Sequence, residues 1–324
     1  MHRGGLFPSK PPRGEYALEV SSGHVLHVAE WGLATGPTLV YLHGGPGGGT
    51  PKSFHRLFDP ALYRVVTFDQ RGCGRSHCPD RLLENTTETL LADMEAVRSL
   101  LGIEHWIVMG SSYGSLLAAL YAARHPSRVQ GCLLHGVFLG SRAELAWLYE
   151  GGAAAFYPEG WLRLEASLGT APPPALDGAP LPHVAAFHAL VLHPEADRAH
   201  PPSRSRPDLS TEGKAAEARA AAAAAAVVGW EDEMETLAPE PASSEDGEVI
   251  AGAQIALHHF YHGCFLPEGG ALAELVAAKE VPHEPRQPHQ PHQPRQPTAN
   301  HSPTPAPPPP LPPPLPPPPH HPPP

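Results

Sequence analysis

Short apolar runs separated by glycine- and proline-rich turns dominate the first 140 residues. Runs of about four to eight apolar residues bounded by such turns are typical of buried strands. They predict six strands, near residues 17–20, 25–31, 38–42, 64–68, 105–109 and 131–135. Between the fourth and fifth strands, the helical spacing of apolar residues from Leu90 to Leu101 predicts a helix. Strands that alternate with helices indicate an α/β core over residues 1–139.

The pattern changes beyond residue 139, where alanine becomes abundant. Residues 140–275 predict a helical region, within which the segment 170–211, rich in proline, alanine and serine, is expected to be a loop or disordered insertion. The run from Glu212 to Val228 contains seven consecutive alanines. It predicts a strong helix, because alanine has the highest intrinsic helix propensity.

Residues 276–324 form a tail of different composition. Half of the chain's 44 prolines lie between Pro282 and Pro324, and leucine is the only branched aliphatic residue there. Such a segment cannot build strands, so a disordered, Pro-rich polyproline II tail is predicted. Its P-x-x-P spacing is compatible with binding to SH3 or WW domains, although a plain disordered tail is the simpler interpretation. Its histidines have no fixed geometry, so no metal site is predicted.

The clearest chemical signal is the sequence G-S-S-Y-G at residues 110–114, between the fifth strand and an Ala/Leu-rich segment. A serine in G-x-S-x-G between a strand and a helix is the nucleophile elbow pattern of α/β-hydrolases. Gly110 and Gly114 allow strand and helix to pass closely. The helix N-terminus favours developing negative charge at Ser112. The alternative is an ordinary glycine-rich turn in which Ser111 or Ser112 caps the helix.

Two further loops support the first interpretation. The third strand is followed at once by H-G-G-P-G-G at residues 43–48, and the fourth by D-Q-R-G-C-G-R-S at residues 69–76. A glycine loop in the former place supplies one N–H of an oxyanion hole, and the residue after the nucleophile supplies the other. The order of these parts predicts an α/β-hydrolase core.

Two residues of the second loop are expected to have structural roles. Asp69 lies early in the chain and is expected to hold its loop by hydrogen bonds rather than to act in catalysis. Cys73 is expected to be a small packing residue. The chain's four cysteines lack a framework spacing, so reduced thiols are predicted.

These motifs, with N-T-T at residues 85–87 and the aromatic segment from Phe156 to Trp161, resemble the proline iminopeptidase (prolyl aminopeptidase) family of serine exopeptidases. The resemblance is close over residues 6–161 and looser over 214–275. It implies an α/β-hydrolase core with a helical cap, and the release of an N-terminal proline from peptides through an acyl-enzyme. It also implies that Ser112 is the nucleophile and that the N–H groups of Tyr113 and of Gly44 or Gly45 hold the oxyanion. No cofactor and no metal are expected.

The family anchors the free amine of its substrate on an acid in the cap, in a segment like A-R-I-E-N-H-Y-F. The matching run here, from Ala253 to Phe260, has Ala256 in place of that acid. A protonated proline nitrogen in a mostly closed pocket needs a compensating charge. Glu231 or Glu233 could take this role, although solvated helix carboxylates are the simpler interpretation.

A serine nucleophile also needs a base and an acid, which in this fold follow it in the chain order Ser, Asp or Glu, His. No aspartate follows Asp246, and none of the later histidines follows an apolar strand. The α/β-hydrolase core is therefore expected to be incomplete, lacking its last strands and the triad Asp and His, through a displaced or truncated C-terminus. We expect an open, apolar sheet edge. We also expect low activity, since loss of the histidine costs about a million-fold in turnover in a related triad.

Net charge and hydropathy limit the classes of partner and the location expected for the protein. A formal net charge of −11 argues against binding to nucleic acid or to anionic membranes. No signal peptide or membrane span is evident, so a cytoplasmic protein is expected. The expected partners are peptides with an N-terminal proline. Two alternatives remain open: another capped serine hydrolase such as an esterase, and a non-catalytic pseudoenzyme or scaffold that acts through its Pro-rich tail.

Overall fold

The computed structural model describes residues 5–172, 174–194, 211–235, 242–243 and 246–279. The described residues contain six strands: β1 (Gly14–Glu19), β2 (Val25–Gly32), β3 (Thr38–Leu42), β4 (Arg64–Phe68), β5 (Trp106–Ser111) and β6 (Val129–His135). They also contain eight α-helices: α1 (Thr87–Leu100), α2 (Tyr113–Arg124), α3 (Arg142–Tyr149), α4 (Pro158–Leu168), α5 (Pro182–Leu192), α6 (Thr211–Glu235), α7 (Gly247–Tyr261) and α8 (Leu272–Lys279).

The strands build one mixed sheet in the order β1–β2–β4–β3–β5–β6. The pairs β1–β2 and β2–β4 are antiparallel, whereas β4, β3, β5 and β6 run parallel to one another. Because neighbouring parallel strands end at the same edge, the loops after β4, β3 and β5 meet there. The predicted α/β core and its six strands are confirmed, and the largest shift is at the start of β1, which begins at Gly14 rather than Ala17.

The centre of the sheet is buried on both faces. Every residue of β3 is buried, and its side chains alternate between two apolar clusters. Val40 and Leu42 belong to the larger cluster, which includes residues of α1 and α2, while Leu39 and Tyr41 belong to the smaller one with Phe54. The continuous apolar run in the sequence follows from this arrangement, because a strand covered on both faces does not alternate with polar residues.

The edge of the sheet formed by β6 is not covered by another strand among the described residues. Among the described residues, β6 is an edge strand that pairs only with β5. Its Leu133 and Leu134 are 49% and 40% exposed. The open, apolar sheet edge expected from the sequence is therefore present in the described part of the chain.

The cap, defined here as helices α3 to α7, differs from the prediction in one segment. A loop or disordered insertion is predicted over residues 170–211, and this is wrong for Pro182–Leu192, which form α5. Proline in the first turn is compatible with a helix, because its missing N–H is not needed there. Val184 and Phe187 are fully buried in the larger apolar cluster. Residues 195–210 lie outside the described residues.

The C-terminal end of the alanine-rich helix and the start of the predicted tail also differ from the prediction. The alanine-rich helix α6 is longer than the predicted run 212–228, since it extends to Glu235. Helix α8 crosses the boundary predicted at residue 276, and Arg124 of α2 holds it by donating to Glu274 at 2.5 and 2.9 Å. The predicted polyproline II conformation and SH3 or WW binding of the tail lie outside the described residues. No helix within the described ranges is both long and apolar enough to cross a membrane.

Candidate active site

The serine at the centre of the G-S-S-Y-G motif has a backbone conformation that is unusual for a residue with a side chain. β5 ends at Ser111, α2 begins at Tyr113, and Ser112 between them has φ 52° and ψ −122°. Positive φ is disfavoured for a non-glycine residue, and such strain is concentrated at functional sites. The backbone therefore makes the sharp strand-to-helix turn that the elbow pattern predicts.

The glycines on either side are required by the tightness of this turn. A Cβ at Gly110 would lie 2.0 Å from the Gly114 carbonyl oxygen, and a Cβ at Gly114 would lie 2.1 Å from the Leu42 carbonyl oxygen. Backbone atoms on both sides leave no room for a methyl group, so only glycine fits at either position. The start of α2 is thereby packed directly against the ends of β3 and β5.

Ser112 occupies the N-cap position of α2, but its side chain does not cap the helix. The Ser112 N–H donates to the His135 carbonyl at 2.9 Å, and the Ser112 carbonyl accepts from Ser115 Oγ at 2.6 Å. Ser111 does not cap the helix either, since its Oγ lies 3.2 Å from His135 Nδ1. The alternative of an ordinary capping turn therefore does not describe this serine pair.

The glycine-rich loop after β3 adjoins the same serine. A Cβ at Gly44 would lie 3.0 Å from Ser112 Cβ, and Gly45 has φ 108°. Within the described part of the chain, the N–H groups of Gly44, Gly45 and Tyr113 donate to no acceptor. Unpartnered backbone N–H groups beside a nucleophile are what an oxyanion hole requires. These positions are compatible with the predicted roles, which stay predictions.

His43 and Gln70 join this loop to the loop after β4. The Gln70 N–H donates to His43 Nε2 at 2.9 Å, and Gln70 Nε2 donates to the His43 carbonyl at 2.8 Å. Since His43 Nε2 accepts, the ring proton lies on Nδ1, which donates to the Gly44 carbonyl at 3.0 Å. Burial lowers the pKa of His43, which keeps the ring neutral. His43 therefore positions the glycine loop and is not available as a general base.

Asp69 holds the loop after β4, as predicted. Its carboxylate accepts from the backbone N–H groups of Thr50 and Arg75, each at 2.9 Å. Burial alone would raise the pKa of Asp69, but these hydrogen bonds outweigh it and the pKa lies below its usual value. Cys73 is buried, and burial raises the pKa of its thiol, so its packing role is also confirmed.

Tyr113 connects the elbow to the cap through a buried contact that the sequence analysis did not identify. The Tyr113 hydroxyl lies 2.8 Å from His259 Nδ1 of α7, and His259 Nε2 lies 3.2 Å from Asn85 Oδ1. Asn85 Nδ2 donates to the carbonyls of Arg71 and Arg81, so Asn85 Oδ1 accepts the His259 Nε2 proton. His259 Nδ1 is then the acceptor for the Tyr113 hydroxyl.

A cavity of about 790 Å³ lies between the core and the cap. Its core wall consists of the glycine loop, Ser111, Ser112 and parts of the loop after β4. Its cap wall consists of residues from α6 and from the start of α7. The two walls touch where the glycine loop meets α7, since a Cβ at Gly47 would lie 2.9 Å from the Gly252 carbonyl oxygen.

The cap wall is acidic. It contributes four carboxylates to the lining of the cavity: Glu231, Asp232, Asp246 and Glu248. The Tyr149 hydroxyl donates to Glu231 Oε1, and burial raises the pKa of Asp232. Glu233 is not part of the lining and pairs with Arg163. Of the two candidates predicted for the amine anchor, Glu231 lines the cavity and Glu233 does not. Asp232, which the sequence analysis did not consider, also lines it.

No base contacts the nucleophile in the described ranges. Among those residues, Ser112 Oγ makes no hydrogen bond, and the ring of His135 contacts Ser111 instead. The predicted absence of the triad acid and histidine also concerns residues after Lys279, which lie outside the described residues. No side chain in the described part of the chain was therefore found in the position of a general base.

Comparisons with known proteins point to one fold family. Residues 37–227 match a family model described as the alpha/beta hydrolase fold. The chain is 34% identical over 262 residues to a proline iminopeptidase of Neisseria gonorrhoeae, covering 81% of this chain and 76% of the relative. It is 47% identical over 156 residues to a proline iminopeptidase of Arabidopsis thaliana, covering 48% of this chain and 41% of the relative.

The chain thus spans less than half of the plant relative and about three quarters of the bacterial one. Among solved structures, it is similar to a proline iminopeptidase-related protein of Thermus thermophilus, with 32% identity and coverage of 50% of this chain and 52% of that chain. The TM-score of 0.36 is too low for that superposition to bear on the arrangement of the site.

Proposed function

Because the chain belongs to the proline iminopeptidase family of α/β hydrolases, we propose that it is a serine hydrolase that releases an N-terminal proline from peptides. The observation that carries the proposal is the strained turn at Ser112, which lies at the N-terminus of α2 and lines the cavity. In the proposed reaction Ser112 Oγ attacks the carbonyl carbon of the proline residue, the C–N bond to the next residue breaks, and the Ser112 hydroxyl proton ends on the nitrogen that leaves as an amine. Water then hydrolyses the acyl-enzyme.

The backbone N–H groups of Tyr113 and of Gly44 or Gly45 stabilise the negative oxygen of the tetrahedral intermediate in this proposal. Their lack of other acceptors among the described residues supports the role. Such donors are aimed at charge that develops in the transition state, and removal of one costs about a hundred- to a thousand-fold in turnover in a serine protease of a different fold. The N-terminus of α2 adds a favourable dipole at the same place.

Glu231 is proposed to bind the protonated amine of the substrate. Ala256, at the position of the family's acid, is buried and is not part of the cavity lining, so that position supplies no charge here. Glu231 lines the cavity together with Ser112, and the hydroxyl of Tyr149 orients its carboxylate. Asp232 adds a second acidic group to the same wall, which favours a cationic ligand over a neutral one.

The proposal includes a low rate of turnover for this sequence. Among the described residues, no base contacts Ser112 Oγ, and a serine without a base is a weak nucleophile. The residual rate then depends on the oxyanion hole and on substrate binding. Binding and acylation at Ser112 are therefore the measurements that test the proposal most directly.

The experiment combines a fluorophosphonate probe with proline naphthylamide, using Ser112→Ala and the matched control Ser111→Ala. We expect labelling and proline release to disappear in Ser112→Ala and to persist in Ser111→Ala, because both serines line the cavity but only Ser112 lies at the elbow. Preference for the free over the acetylated proline substrate would support the peptidase. Preference for simple esters would instead favour the esterase, and no labelling would favour the pseudoenzyme or scaffold.

A further inference from the structure

Three histidines from two packed cap helices converge at a place outside the cavity. His188 lies in α5, His258 lies in α7, and His262 directly follows α7. One ring nitrogen from each lies within 4.8 Å of the other two. None of the three is part of the lining of the candidate active site. The candidate active site therefore does not account for this histidine cluster.

The three rings lie close enough together to be candidates for a metal site. His258 and His262 are four positions apart, which places two imidazoles on one face of a helix. His188 supplies a third from the neighbouring helix. A tetrahedral Zn²⁺ with bonds of about 2.0–2.1 Å holds its nitrogen ligands about 3.4 Å apart. The ring nitrogens lie up to 4.8 Å apart, so the rings must move together by about 1 Å to reach the separation of Zn²⁺ ligands.

An unsatisfied polar atom gives a second, independent sign of a ligand. Among the described residues, the buried His258 Nε2 has no partner at hydrogen-bond geometry, although the His258 ring also interacts with the backbone of Asn85. A buried polar atom without a partner is unfavourable and calls for a specific cause. A metal ion would satisfy this nitrogen, since it accepts the lone pair of a neutral imidazole.

Aromatic neighbours hold two of the rings in place. The His188 ring stacks on Tyr261 with centroids 4.0 Å apart and 19° between planes. The His262 ring stacks on Phe265 at 5.1 Å and 22°. Preorganised ligands lose little freedom when they bind an ion, which favours affinity. Stacking alone is the competing explanation, in which the three neutral rings pack together without an ion.

We propose that His188, His258 and His262 bind one divalent transition-metal ion, such as Zn²⁺ or Co²⁺, with water completing the coordination. Imidazole ligands select such ions over Mg²⁺ and Ca²⁺, which prefer oxygen. The ion ties α5 to α7 and so stabilises the cap. It has no part in the chemistry at Ser112.

The test titrates the full chain with Co²⁺ and records the visible absorption that marks tetrahedral coordination, followed by displacement with Zn²⁺. We expect one equivalent to bind, and Zn²⁺ in hundred-fold excess over its dissociation constant to raise Tm by about 5 °C. His262→Asn and His188→Asn should each weaken binding by about a hundred-fold or more, because each removes a ligand from a different segment of the cap. His262 is exposed, so its variant is expected to fold.

The C-terminal histidines outside the described residues provide the matched control. His289→Asn combined with His292→Asn removes two imidazoles from that segment and should leave the Co²⁺ spectrum and the Tm shift unchanged. Loss of binding in this control, with binding kept in His262→Asn, would overturn the proposal in favour of a C-terminal metal site. A wild-type chain that gives no tetrahedral Co²⁺ spectrum would overturn it in favour of stacking alone.

Discussion

The two walls of the cavity are built in different ways. The core wall is rich in glycine and is fixed by the loops after three neighbouring parallel strands. The cap wall carries side-chain charge on α6 and α7. Close backbone packing tolerates few substitutions, whereas a charge on a helix can be exchanged without changing the fold. In the proposed reaction, the geometry of acylation and the choice of substrate are therefore set by separate parts of the chain.

The largest expected effect tests the rigidity of the core wall. We expect Gly114→Ala to lower the free energy of unfolding by about 3 kcal/mol or more, because its Cβ would lie 2.1 Å from the Leu42 carbonyl oxygen. Gly247→Ala is the control, since no atom lies within 4 Å of a Cβ there. Urea denaturation measures both variants. If they proved equally stable, the core wall would be as tolerant as the cap.

The next largest effect concerns Asp69, which holds a loop of the core wall and whose contribution to stability depends on pH. Asp69 accepts two backbone hydrogen bonds, and its pKa in the native state is lowered. The unfolded state therefore binds more protons below about pH 4, so the contribution of Asp69 to stability is complete above that pH and is lost as the pH falls through the native pKa. We expect Asp69→Asn to cost about 2 kcal/mol at neutral pH and progressively less in acid.

The control for this prediction is Asp59→Asn. The Asp59 carboxylate accepts one exposed hydrogen bond, from the Ala61 N–H, so we expect its variant to change the free energy of unfolding by less than about 0.5 kcal/mol. Denaturation curves from pH 7 down to the acid limit of the native state measure both. A constant difference between wild type and Asp69→Asn across that range would show that the charge of Asp69 does not matter.

The smallest expected effect tests the cap wall. We expect Glu231→Gln to weaken prolinamide binding by about fivefold, because it removes one negative charge from the cavity while keeping the side-chain shape. The fold should be unaffected. Protection of Ser112 from the fluorophosphonate probe measures this affinity even when turnover is low. Glu233→Gln, outside the lining and paired with Arg163, should bind as the wild type does.

The strands and the loops of the core could be predicted because each depends on residues that are close together in the sequence. The G-S-S-Y-G turn, for example, is complete within residues 110–114. Helix α5 could not be predicted from local sequence. Its Val184 and Phe187 are buried only because other helices pack on them in the folded chain. The contact between Tyr113 and His259 was missed for the same reason, since 146 positions separate the two residues.

The contact between Gly47 of the core wall and Gly252 of the cap wall leaves different amounts of room for a side chain on its two sides. A Cβ at Gly252 would lie 3.4 Å from the Gly47 carbonyl oxygen, which is an ordinary contact, whereas a Cβ at Gly47 would lie 2.9 Å from the Gly252 carbonyl oxygen. Gly47 also has φ 95°, which disfavours any other residue. A larger side chain can therefore be introduced at this contact only at Gly252 of α7, and not at Gly47 of the glycine loop. Over evolution, this part of the cavity can be reshaped by mutations in α7 while the strand loops stay as they are.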